Sequence, residues 1–156
     1  MRKKTFIGIC LILLSTSTLA QSVGSLSSEY CGTDDEQNGV LKSGKNIETQ
    51  CVLAFANNEE TEAVISLEGK VLTLQRIDFK FTSGYRNKSQ PSLGNRHKYI
   101  FLSKDKATKV TLLTRVTDSS CYVDTESCCG DSYEGTLTVE RKGVHVKIPV
   151  EYYRGG

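Results

Sequence analysis

The chain has 156 residues with 20 basic and 18 acidic side chains, six cysteines, two histidines and no tryptophan. An apolar fraction of 38% against 24% charged residues excludes a disordered chain, and the length is that of one domain. The net charge of +2 hides a segmental pattern, whose basic block could suit a nucleic acid but for the export that residues 1–20 imply.

Residues 1–20, MRKKTFIGICLILLSTSTLA, place Arg2, Lys3 and Lys4 before an apolar run over 6–14 and a small polar region ending in Ala20. That is the layout of a secretory signal peptide cleaved before Gln21. The run is far shorter than the ~20 residues that span a bilayer, so no membrane insertion is predicted after cleavage. Cys10 lies inside the run, without a lipidation motif. A periplasmic or secreted protein of a bacterial envelope is therefore expected.

The charge falls in blocks. Residues 21–69 hold two basic and nine acidic side chains, 70–115 hold eleven basic and two acidic, and 116–156 hold four basic and seven acidic. Such blocks either steer a charged partner or neutralise one another across a sheet.

Residues 21–48 are rich in Ser, Gly, Asp and Asn and read as an irregular N-terminal arm, followed by a single β domain over 49–156. "TQCVLAFAN" and "EAVISLEGKVLTLQRIDFKF" carry apolar residues at a period close to two, through Leu74 to Ile77, Phe79 and Phe81. Gly69-Lys70 suits a two-residue type II′ hairpin turn. Residues 82–97 form a basic loop, and strands resume at "KYIFLSK" and "TKVTLLTRV". "GTLTVERKGVHVKIPVEYY" is a hairpin turning at Lys142-Gly143, with Leu137 and Val139 on one face. No amphipathic helix is predicted. About eight short strands with regular turn signals give an all-β fold, a small antiparallel barrel or sandwich stabilised by disulfides.

Export makes disulfides the default role for Cys31, Cys51, Cys121, Cys128 and Cys129. Cys31–Cys51 is the simplest N-terminal pairing, and Cys121 with Cys128 or Cys129 would close a short loop, but sequence cannot select among the pairings. The C-x6-C-C spacing lacks the paired motif of a structural zinc site, so no metal or other cofactor is expected. No catalytic motif surrounds His97 or His145, and Asp34-Asp35-Glu36 and Glu59-Glu60 lack calcium-loop spacing, so the chain is read as a non-enzyme.

Residues 52–113 carry "AVISLEGKVLTLQ", then "SG", then "SKDKATKVTLL". This order resembles the c-type lysozyme inhibitors of bacterial envelopes, small disulfide-bonded antiparallel barrels. In that family a Ser-Gly loop and a turn lysine enter the lysozyme cleft and contact its catalytic carboxylates. The resemblance implies a partner-binding set of Ser83, Gly84, Tyr85 and Lys104. With Lys104 as the family lysine, Asp105 stands where the family has Gly and Ala107 comes one residue early. A register fitted to Ala107 puts Ser103 at the lysine position and Phe101 in place of Trp, and 86–97 is an insertion in both. The implied function is an exported binding protein that occludes the cleft of a lysozyme-like muramidase. Two other readings share the compartment: an immunity protein neutralising a competitor's toxin through the basic loop, and a structural or adhesive envelope component. Each has a protein partner or an envelope surface and no nucleic acid; the oligomeric state is left open.

Overall fold

The computed structural model describes residues 22–32, 39–43, 50–84, 90–120 and 130–155. Residues 1–21, on which the signal-peptide expectation falls, and Tyr85, Cys121, Cys128 and Cys129 lie outside the described residues.

The elements in chain order are β1 (Val23–Gly24), α1 (Ser28–Cys31), β2 (Gly39–Lys42), β3 (Cys51–Phe55), β4 (Glu62–Leu67), β5 (Lys70–Thr82), β6 (Arg96–Ser103), β7 (Thr108–Ser119), β8 (Asp131–Arg141) and β9 (Val144–Arg154). All pairings are antiparallel, and the order β4-β3-β2-β9-β8-β7-β6-β5 closes on itself through β4–β5. The result is an eight-stranded barrel, with β1 added against the far end of β4. Closure removes most of the free edges that an open sheet would present.

Alternating apolar residues turn one face of each strand into the barrel. Leu53, Ile65, Leu74, Phe101, Leu112, Leu137, Val139 and Val150 are essentially fully buried there. The hairpin faces agree with the sequence pattern: in β8 Leu137 and Val139 point inward while Thr136 and Thr138 stay partly exposed. β3 does not alternate, since all five of its residues are buried. Its outer face is covered by the N-terminal segment, which contributes Leu26 to a second cluster with Cys51, Ala54 and Val64. Burial on both faces is why this strand reads as a continuous apolar run.

The segment expected to be an irregular arm thus supplies two short strands and a helical turn. Leu26 N–H donates to the Cys51 carbonyl at 2.7 Å, and a Cys31–Cys51 disulfide ties α1 to β3. This is the simplest N-terminal pairing, one of several that the sequence left open.

One end of the barrel has tight turns. The β4–β5 turn is Glu68-Gly69, both with positive φ (52° and 74°), and Leu67 pairs with Lys70. It is therefore a type I′ turn one residue earlier than the expected Gly69-Lys70 turn. The I′ twist matches the twist of the flanking strands. Lys142-Gly143 makes an equivalent turn, with φ of 49° and 77°. The opposite end carries the longer connections β3–β4, β5–β6 and β7–β8, and the C-terminus returns to it: Arg154 pairs with Glu60 and donates to the Asn58 carbonyl at 2.9 Å.

Candidate binding face

The outer surface of the β5–β8 sheet gathers part of the basic block. The register lines up two rows across four strands. One runs Lys80, Lys98, Leu113, Thr136, and the other runs Thr82, Arg96, Arg115, Glu134. Lys80 is thus directly opposite Lys98, and Arg96 directly opposite Arg115. Opposed like charges are unfavourable in a sheet, by at most about 1 kcal/mol per pair in water at this spacing. Among the described residues the ion pairs are Lys109–Glu140 at 3.5 Å and Arg154–Glu60, so none of the four cations is neutralised in this way.

The surface under these rows is concave. A depression of about 420 Å³ is lined by both rows, and an adjoining one of about 380 Å³ extends past Thr117 to Pro149 and Ser43. The two share Arg115, Glu134, Gly135 and Thr136. Gly135 lies at their junction because β7 and β8 approach unusually closely there. A Cβ at this position would sit 2.0 Å from the Leu113 carbonyl oxygen. A glycine inside a strand marks such a close approach.

The inner face of the same strands is aromatic towards the end with the longer connections. Phe79 lies 5.0 Å from Tyr99 and Phe81 5.3 Å from His97, while Tyr133 stacks on Tyr152 at 4.4 Å. Phe55 bridges Tyr99 and Tyr152. Burial raises the Tyr133 phenol to about 12 and pushes Tyr99 and Tyr152 higher still, with their mutual proximity adding to the rise of Tyr99. Burial lowers the His97 imidazole below its usual range, and Asp131 partly offsets this. Its Nδ1 is buried without a hydrogen-bond partner. These groups fill space in their neutral forms. His145 is exposed on β9, opposite Glu140. Among the described residues no three of His, Cys, Asp or Glu converge on a point that could hold a metal.

The residues nominated by the lysozyme-inhibitor resemblance are not brought together. Ser83 and Gly84 follow β5 at the end with the longer connections, whereas Lys104 begins the β6–β7 turn at the other end. Leu74 pairs with Ser103 and Thr82 with Arg96, so eight strand positions, roughly 25 Å, separate the two sites. A single pair of carboxylates in one cleft cannot meet both. Gly84 has a backbone role as well: a Cβ there would lie 1.9 Å from the Gly94 carbonyl oxygen, and its N–H donates to Asn95 Oδ1 at 2.9 Å. Asp105, a departure from the family pattern, organises the turn that carries Lys104. It accepts from the Ser103 hydroxyl and from Ala107 N–H at 3.0 Å, which holds its carboxyl below the usual range.

No family model matches the chain, and no curated protein or solved structure matches it. The physical surface therefore carries the functional argument. The signal for the basic face was present in the charge block 70–115. What sequence could not show is that four of its eleven cations share one concave surface.

Proposed function

We propose that this chain is an exported, non-enzymatic binding barrel that captures the acidic surface of another protein, in the manner of an inhibitor or immunity protein. The observation that carries the reading is the opposed Lys80/Lys98 and Arg96/Arg115 pairs on a concave face, four cations that form no ion pair among the described residues and share that face with one acid, Glu134. A carboxylate-rich partner would relieve their repulsion and accept charge-assisted hydrogen bonds. The leader-like residues 1–20 support export.

A lysozyme-like muramidase, with paired catalytic carboxylates, is the first target to test. The disulfide-bonded barrel agrees with the resemblance that suggested it. Contact in this reading comes from the basic face, since Ser83 and Lys104 do not share a surface.

The experiment measures residual activity of a panel of muramidases against rising concentrations of the exported protein. Saturable inhibition that weakens with salt is expected. Lys98→Glu/Arg115→Glu should weaken it by at least about tenfold, because a hydrogen bond to a charged group contributes roughly 1.5–3 kcal/mol. Ser83→Ala/Lys104→Ala should leave it unchanged. The opposite pattern would overturn the basic-face assignment in favour of the loop and turn. Binding confined to an anionic envelope polymer would point instead to the structural reading.

A further inference from the structure

The barrel is not closed along its whole height. β4 pairs with β5 only as far as Glu62 opposite Gln75, and Arg76 N–H still donates to the Thr61 carbonyl at 2.8 Å. A bulge at Ile77 then shifts the β5–β6 register between Arg76 and Asp78. Beyond it, residues 78–82 pair with β6 on one side and with no described strand on the other, and Ile77 is the unpaired bulge residue. Natural sheets protect such an edge with short length, charge or cover. Here Ile77, Phe79 and Phe81 are 58%, 43% and 50% exposed, an apolar row along an unpaired edge.

The residues on this edge have a symmetry of their own. The sequence 77–81, Ile-Asp-Phe-Lys-Phe, reads apolar, acid, apolar, base, apolar in one direction and apolar, base, apolar, acid, apolar in the other. We propose that β5 pairs edge to edge with β5 of a second copy of this chain, antiparallel, about a two-fold axis through Phe79. In that register Asp78 stands opposite Lys80 of the second copy, and Lys80 opposite its Asp78. Ile77 meets Phe81 of the second copy, and the two Phe79 rings are neighbours across the axis.

Other registers fail on the same chemistry. Centring the axis on Lys80 or on Asp78 sets identical charges against each other, which is unfavourable for directly opposed residues. A shift by a single residue sets the apolar row against the charged one, because side chains alternate between faces. An axis on Phe81 leaves Lys80 opposite Thr82 without a charge partner, and one on Ile77 needs Gln75 and Arg76, which are already bonded on the β4 side. The axis through Phe79 is thus the register that pairs both charges, and a second copy of this chain is the occupant that supplies them. A C2 dimer formed this way is self-complementary and closes, so it does not propagate into fibres. It also joins the two basic faces into one continuous outer sheet, in which Lys80 is taken up by Asp78 of the second copy and Lys98, Arg96 and Arg115 remain for the partner.

The test is sedimentation equilibrium of the protein expressed from its full-length coding sequence and recovered after export, from micromolar to near-millimolar concentration. The expected result is a reversible monomer–dimer equilibrium. Asp78→Lys and Lys80→Asp, each alone, place like charges opposite each other and should return the protein to monomer. The double variant Asp78→Lys/Lys80→Asp restores opposite pairs and should restore the dimer. Both singles and the double should keep the parent's circular dichroism, which separates loss of pairing from loss of fold. A strictly monomeric parent, a dimer indifferent to the single changes, a double variant that stays monomeric, or a larger assembly would each overturn the proposal. The readout is mass, so its failure leaves the partner-binding reading separately testable.

Discussion

The Cys31–Cys51 disulfide and Gly39 form one packing unit, and separating their contributions tests how the N-terminal segment is held. The bridge spans 20 residues of sequence with a Cα–Cα distance of 6.4 Å. In the chain-entropy account, closing such a loop contributes about 3 kcal/mol. For a domain of this size that corresponds to a fall in Tm of roughly 10 °C for Cys31→Ala/Cys51→Ala. Gly39 opens β2 directly beside the bridge: a Cβ there would lie 2.8 Å from Cys51 Sγ and 3.0 Å from Cys31 Cβ. Gly39→Ala in the parent should therefore cost about 1–3 kcal/mol of overpacking. In the background without the two sulfurs its nearest clash is gone, and the cost should fall by more than half. The assay is denaturant unfolding of the four proteins of this cycle, without reductant, so that Cys121, Cys128 and Cys129 are treated alike. A Cys31→Ala/Cys51→Ala variant that melts within a degree or two of the parent would refute the restraint. Equal costs of Gly39→Ala in both backgrounds would refute the packing argument.

Two further outcomes follow from the barrel interior. Neutral His97 is favoured in the fold, while the unfolded chain takes up a proton near the ordinary value of 6.5. Its contribution to stability is thus fully present above that value and is lost as pH falls from it towards the lower folded value. His97→Phe should flatten this acid slope in urea midpoints measured across pH without lowering stability at neutrality; an unchanged slope would assign it to other groups. Gly135→Ala should cost about 1–3 kcal/mol by forcing β7 and β8 apart, and an unchanged melting temperature would show that the strands can separate freely.

Strand content was legible because period-two patterning needs no knowledge of the partner strand. "KYIFLSK" and "TKVTLLTRV" bury Tyr99, Phe101, Val110 and Leu112 on the face their alternation indicates. The N-terminal segment was not legible in this way, because Leu26 and Cys31 are organised by contacts with β3 and not by local pattern. The β4–β5 turn was misplaced by one residue because Glu68 adopts a left-handed conformation that propensity disfavours and strand twist imposes. Sequence order also could not show that Ser83 and Lys104 lie at opposite ends of the β5–β6 hairpin, because loops close in sequence can be far apart in the fold.

The amino-acid sequence by itself determined that this chain forms antiparallel strands and that its middle third is strongly basic. It also carried the apolar, acid, apolar, base, apolar order on the edge of β5. Those are properties of local spacing and composition. Only the tertiary structure decided which strands close the barrel and that β4 ends short of β5. It also set Lys80 opposite Lys98 and Arg96 opposite Arg115, and left Ile77, Phe79 and Phe81 exposed. These outcomes depend on register between strands, and register is fixed by packing the whole interior at once.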